Sequence, residues 1–186
     1  MRTTTPDEAL AHPAAAFLHA REEPLYAILD AARDPLVLAR LSGCGEEYQS
    51  LYEGPKAARN ADVAPYLVAL PPGTPFLETL ARDGWGQSWG VYLTCGRPFR
   101  EVRKQLRRSL TVETEGGKKL LFRFYDPRVL RVFLPTCTPE ESAEFFGPIE
   151  AFLVEGESPT TLLAFTRDRP AEPTEFRLSD PPGGGR

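Results

Sequence analysis

Proline sets the strongest limits on this chain. Five prolines stand where a helix can begin: Asp34-Pro35, Thr74-Pro75, Arg97-Pro98, Asp126-Pro127 and Thr138-Pro139. Inside a helix proline removes a hydrogen bond and clashes with the preceding turn, but in the first turn it loses nothing. An aspartate or threonine just before it can accept from the unpaired N–H groups of that turn. Each such pair therefore marks a helix start, and the helices are short segments set between other elements.

Apolar runs of strand length lie between these starts. Leu25–Leu29 suits a buried strand, Glu47–Gly54 holds a short one, Ala64–Gly73 reads as strand then turn, and Ser88–Cys95 is another strand. The helix from Thr74-Pro75 carries Leu77, Leu80 and Ala81 on one face and stops at Gly84. From Leu120 to Tyr125 the residues alternate, which predicts a strand with Leu120, Phe122 and Phe124 on one side and Leu121, Arg123 and Tyr125 on the other. The helix after Asp126-Pro127 buries Val129, Leu130, Phe133 and Leu134, and Pro135 ends it. Thr138 and Glu141 form a capping box for the next. Glu150–Gly156 and Thr160–Thr166 read as a closing hairpin across Glu157-Ser158-Pro159.

The fold class is α/β (α+β), a mixed sheet flanked by helices. The runs DPLVLARL and DPRVLRVFL echo each other as two similar strand-turn-helix units, and shared capping chemistry explains the echo equally well. Residues 1–22 read as a flexible segment, 23–168 as the α/β domain, and 169–186 as a disordered Pro/Gly-rich tail. Within that tail Phe176 and Leu178 suit a short docking strand.

Charge is unevenly placed. The net charge of −4 argues against a general nucleic-acid binder. Residues 97–133, however, hold eleven Lys and Arg against four Asp and Glu, a local balance of +7, and the rest of the chain carries −11. Such an island serves as a docking face or in internal pairing more often than as a polyanion site. Cys44, Cys95 and Cys137 are odd in number and widely spaced, which predicts three reduced, unbridged thiols. The first 24 residues carry acidic groups, His12 and Pro13, and so do not read as a signal peptide. The expectation is a soluble cytoplasmic protein.

Two stretches attract attention as binding surface. In Pro98–Leu110, Phe99, Val102, Leu106 and Leu110 share one helical face, while Arg100, Arg103, Lys104, Arg107 and Arg108 take the rest, with only Glu101 as local relief. This is either a solvated helix or a basic docking ridge. Arg123, Arg128 and Arg131 crowd around the Asp126-Pro127 start. Arg128 lies in the first helical turn, where the dipole disfavours a cation, so a carboxylate from Asp126, Asp30 or a partner is expected beside it. In Gly84–Gly90, Trp89 reads as core; Trp85 is either core or a partner-facing anchor.

Material for catalysis is thin. His12 and His19 are the only histidines, and neither a G-x-S-x-G nor a phosphate-binding glycine loop occurs. Asp30 and Asp126 could form a carboxylate pair, but capping, or pairing with Arg33 and Arg128, is the more economical role. No cofactor and no metal is expected.

The runs YAILDAARDP, YQSLYEG, DVAPYLVAL, GWGQSWGVYL and LLFRFYDPRVLRVFLPTC, in that order, resemble the type VI secretion effector-adaptor family, first catalogued as domain of unknown function 4123. The resemblance spans roughly Leu25 to Gly147, and its most specific part is the Phe-Arg-Phe-Tyr-Asp-Pro-Arg run. It implies a non-catalytic cytoplasmic chaperone that holds a cognate effector and helps load it onto the VgrG spike. Partner-binding candidates are then Arg100, Arg103, Lys104, Arg107, Arg108, Arg123, Arg128, Arg131 and Trp85. Asp30, Asp34, Trp89, Tyr125, Asp126 and Pro127 are structural. Partners would be the effector and the spike, with neither nucleic acid nor membrane. The alternative is a nucleic-acid- or polyanion-binding protein, or a small enzyme, using segment 97–133.

Overall fold

A computed structural model describes residues 11–113 and 116–178. Nine strands and seven α-helices are assigned there. The strands β1 (Leu25–Asp30), β2 (Tyr48–Ser50), β3 (Pro65–Leu70), β4 (Gly90–Thr94), β7 (Ala151–Glu155), β8 (Thr161–Thr166) and β9 (Thr174–Arg177) form one sheet in the order β2-β3-β1-β4-β7-β8-β9. The strands β5 (Thr111–Glu113) and β6 (Lys119–Leu121) form a separate hairpin. The α+β class is as expected. The sheet is not mixed in direction, because every pairing in it is antiparallel.

Helices cover both faces of the sheet. The helices are α1 (Pro13–His19), α2 (Pro35–Ser42), α3 (Gly54–Arg59), α4 (Pro75–Gly84), α5 (Phe99–Arg108), α6 (Pro127–Phe133) and α7 (Pro139–Phe146). Cross-strand partners share a face. One row therefore runs Tyr26, Leu93, Phe152, Phe165. Phe99 of α5 packs on Tyr26, and Phe145 and Phe146 of α7 pack on Phe152. The opposite row holds Ala27, Tyr92 and Leu153. There Trp85, just after α4, packs on Tyr92, α1 packs on α4, and Arg40 of α2 bonds Asp83 of α4 at 2.7 Å. All six residues of β1 are buried, as befits a central strand covered on both sides.

The helix starts behave as the sequence dictates. Asp34, Thr74 and Asp126 each accept from the N–H two residues on, and Pro35, Pro75 and Pro127 take the first helical position. Thr138 and Glu141 form the capping box.

Three expectations need correction. Residues 11–22 are not a frayed appendage: Ala14, Ala15 and Leu18 are buried, and the His12 N–H donates to Glu78 of α4. The amphipathic spacing of α1 has a partner that lies far off in sequence. The short docking strand expected at Phe176 forms, since β9 extends the sheet and Phe176 packs on Phe17 of α1, so the structured part of the tail reaches Leu178 rather than ending at residue 168. Residues 1–10 and 179–186 lie outside the described residues. Finally, Leu120–Tyr125 is a strand only as far as Leu121. Consecutive residues of a strand face opposite ways, yet Phe124 and Tyr125 are both buried. The backbone therefore leaves the hairpin and turns, and the second strand-turn-helix unit of the sequence is a loop-turn-helix on one sheet face.

Candidate functional site

The segment Phe122–Leu134 is anchored to the sheet by Arg123 and Arg131, while Arg128 is paired within the segment. Arg123 Nη2 donates to Asp30 Oδ2 at 2.5 Å. Asp30 ends β1, is almost fully buried, and its Oδ1 accepts from the Ala32 N–H. Arg128 meets Asp126 with two bonds, Nε to Oδ1 at 2.9 Å and Nη2 to Oδ2 at 2.6 Å. Oδ1 also accepts the Arg128 N–H, so one carboxylate caps α6 and neutralises the cation in its first turn. Arg131 Nη1 donates to the carbonyls of Glu155 and Gly156 at 2.6 and 2.9 Å, which fixes α6 to the β7 end.

Electrostatics follow from this wiring. Burial pushes the Asp126 carboxyl up, but the side-chain and backbone hydrogen bonds from Arg128 outweigh it and leave the group below the usual carboxylate value. Burial likewise raises the Tyr125 hydroxyl, with Tyr52 beside it as a hydrogen-bond partner. The guanidinium groups are not sealed in. The Arg123 side chain is 45% exposed and that of Arg128 49%. A cleft of about 500 Å³ opens beside Arg128, lined also by Arg131, Val132, Glu157, Ser158 and Glu175 among others. Val132, at its edge, is 71% exposed.

The loop Gly84–Gly90 meets this corner through a residue the sequence reading missed. Glu155, nearly buried at the end of β7, accepts from the N–H groups of Gly86 and Ser88 and from the Ser88 hydroxyl. Burial raises its pKa against these three donors. An acidic residue on the inward phase of the apolar run Ala151–Val154 was the available signal. Trp89 is core as expected, and its ring occupies the space a side chain at Gly84 would need. A Cβ at Gly90 would collide with the Ile28 carbonyl, so close strand approach requires glycine there. Trp85 is also core: it is 8% exposed and its Nε1 donates to the Pro159 carbonyl at 2.7 Å. It offers no anchor to a partner.

The basic helix α5 divides into two stripes. Arg103 donates to the Ser50 and Tyr52 carbonyls and pairs with Glu53, and its side chain is only 12% exposed. Arg107 donates to the Leu51 carbonyl and reaches the other Glu53 oxygen at 2.7 Å. Both were expected on a docking ridge; instead they clamp the β2–α3 connection, because the turn after β2 leaves its carbonyls pointing at α5. Arg100, Lys104 and Arg108 are exposed and have no ion pair among the described residues. Arg33, a proposed partner for Asp30, donates to the Gln87 carbonyl instead.

All three cysteines are unbridged. Among the described residues no group of three or more His, Cys, Asp or Glu could hold a metal, and no helix is long and apolar enough to cross a membrane.

Comparison with known proteins bears on the same region. The family described as "Domain of unknown function (DUF4123)" matches residues 25–144. The chain belongs to the DUF4123 family. No curated protein and no solved structure matches it. The DUF4123 match includes the Asp30–Arg123 and Asp126–Arg128 pairs and all of α5. It stops before Glu155, which therefore joins the corner from outside the matched segment.

Proposed function

We propose that this DUF4123 protein is a cytoplasmic, non-catalytic adaptor–chaperone that binds a cognate type VI secretion effector and promotes its loading onto the VgrG spike. Family membership over residues 25–144 supports this reading, together with the motif resemblance carried by the Phe122–Arg128 run. The single observation that carries it is the wiring of the corner. Arg123 and Arg128 are each held by one carboxylate, yet each leaves about half of its side chain in solvent. Preorganised, half-exposed guanidinium groups of this kind lose little side-chain entropy when a partner docks.

The test is co-purification of the full chain with the effector and the spike encoded beside its gene. Both should be retained, singly or together, and retention should weaken as salt rises. Capture of neither partner by the folded wild-type chain would overturn the reading.

A further inference from the structure

A second cleft, on the sheet face covered by α5 and α7, has rims of opposite charge. Its floor is aromatic. Phe122, Phe133 and Phe145 meet at ring-centroid distances of 4.6 to 6.4 Å. Val112 of the β5–β6 hairpin also lines it and is 41% exposed. The volume is about 270 Å³, just below the roughly 300–1,000 Å³ typical of small-molecule sites. One or two apolar side chains would fill it.

The rims explain what could bring such side chains there. Arg100, Lys104 and Arg108 fall on one side of α5 at four-residue spacing, all exposed, and Arg108 reaches the cleft. On the α7 side stand Glu140, Glu141 and Glu144, also exposed, and the last two line the cleft. Glu141 is partly occupied by its cap bond to the Thr138 N–H. Among the described residues, no ion pair joins the two rims, and neither Arg108 nor Glu144 pairs elsewhere. An apolar floor between the unpaired Arg108, at the end of an exposed cationic stripe, and the unpaired Glu144 is complementary to one kind of occupant.

We infer that this cleft docks an amphipathic helix of the partner protein, with apolar side chains on the phenylalanine floor, acidic residues along the α5 rim and basic residues along the α7 rim. Helix-in-groove recognition uses anchors at i, i+3 or i+4, and i+7, and the charge pattern across the groove sets which helix is accepted. The inference deepens the adaptor reading and rests on it for the identity of the partner.

The probes are three synthetic helical peptides with the same leucine and phenylalanine stripe. One has glutamates on one flank and lysines on the other, one has glutamates on both, and one has lysines on both. Binding to the full chain is read by fluorescence anisotropy. The bipolar peptide should bind about three- to tenfold more tightly than either single-sign peptide, as a few rim pairs allow. In the double variant Lys104→Glu with Arg108→Glu the part of the α5 rim nearest the cleft becomes acidic like the α7 rim, and the all-lysine peptide should become the preferred one. These side chains lack intrachain ion pairs among the described residues, so the melting temperature should fall by no more than the few degrees that an anion in the last turn of α5 costs. Val112→Asp, also at the surface, should weaken all three peptides. Equal binding of the three by wild type, an unchanged order in the double variant, or no effect of Val112→Asp would each overturn the inference. So would full capture of the effector by the double variant. Capture of neither effector nor spike by wild type would remove the adaptor reading, while the peptide order would still decide the cleft.

Discussion

Among the described residues, two Asp-Pro corners have the same local chemistry and different burdens. At Asp34-Pro35 the carboxylate accepts one hydrogen bond, from the Leu36 N–H at 2.8 Å, and lies near solvent. At Asp126-Pro127 the carboxylate is 4% exposed and accepts the helix N–H together with two bonds from Arg128. The first corner starts a helix. The second starts a helix, neutralises a cation at the wrong end of the helix dipole, and sits one short loop from the Arg123–Asp30 bond. A capping motif thus states where a helix begins, whereas what else the capping residue holds depends on the surface to which that helix is brought.

The largest expected effect sharpens this contrast. Asp126→Ala loses a cap, worth roughly 0.5–2 kcal/mol, and a charged hydrogen-bond pair whose value is reduced by the half-exposed arginine. A total of about 1–3 kcal/mol follows from those terms. Urea denaturation should show it as a lower midpoint at unchanged slope. If the variant proves as stable as wild type, the corner is not a structural centre and the contrast with Asp34 collapses.

Arg123→Ala comes next. Among the described residues it leaves the buried Asp30 carboxylate with only the Ala32 N–H as hydrogen-bond partner. Removing one member of a fully buried pair costs several kcal/mol, but Arg123 is nearly half exposed and water can reach the vacated side, so about 1–2 kcal/mol is expected. Arg123→Lys should recover part of this, since a point charge restores the attraction without the guanidinium geometry. Equal loss in both variants would show that the contact depends on shape rather than charge.

The contrast also shows what a sequence can and cannot display. Helix starts were legible because a cap is a contact between neighbours: Asp34, Thr74, Asp126 and Thr138 all behave as their local sequence requires. Strands β1, β3 and β4 were legible because central strands are apolar throughout. The partner of Asp30 was not, since Arg123 lies 93 residues away and Arg33 lies three. Arg103 and Arg107 looked like surface for the same reason. Their acceptors are the Glu53 carboxylate, some fifty residues away, and backbone carbonyls of residues 50–52, and a carbonyl leaves no mark in composition. The cleft beyond them depends on Phe122, Phe133 and Phe145 converging from three elements. Alternation at Leu120–Tyr125 pointed instead to a strand, because a short run of large apolar residues reads the same way in a strand and in a packed loop.

Asp34→Ala is the control on the other corner. With one exposed cap bond lost, about 1 kcal/mol is expected, within the range for N-cap substitutions. Asp34→Asn should be close to neutral, because asparagine caps as well as aspartate. A cost at Asp34 matching that at Asp126 would mean that capping alone explains both corners.

The smallest effect separates cap from charge at Asp126 itself. Asp126→Asn retains an oxygen for the Arg128 N–H and loses the anion that faces the guanidinium. At neutral pH the difference from wild type should be about 0.5–1 kcal/mol, the worth of a part-exposed pair. Its pH dependence has a definite sign. The folded carboxyl titrates below the usual value of 3.8, so its contribution is fully present above that value and is lost as pH falls through the folded pKa. Glu155 acts in the opposite sense. Burial raises its pKa, so stability declines as pH rises from about 4.5 through the folded value. That second slope is common to wild type and variant and cancels between them. The stability difference between the two proteins, followed by denaturant titration from neutral pH downward, should therefore be flat above pH 4 and close at lower pH. A difference that persists unchanged into strong acid would show that asparagine fails as a cap, and that the charge pair adds nothing to what Asp34 already does alone.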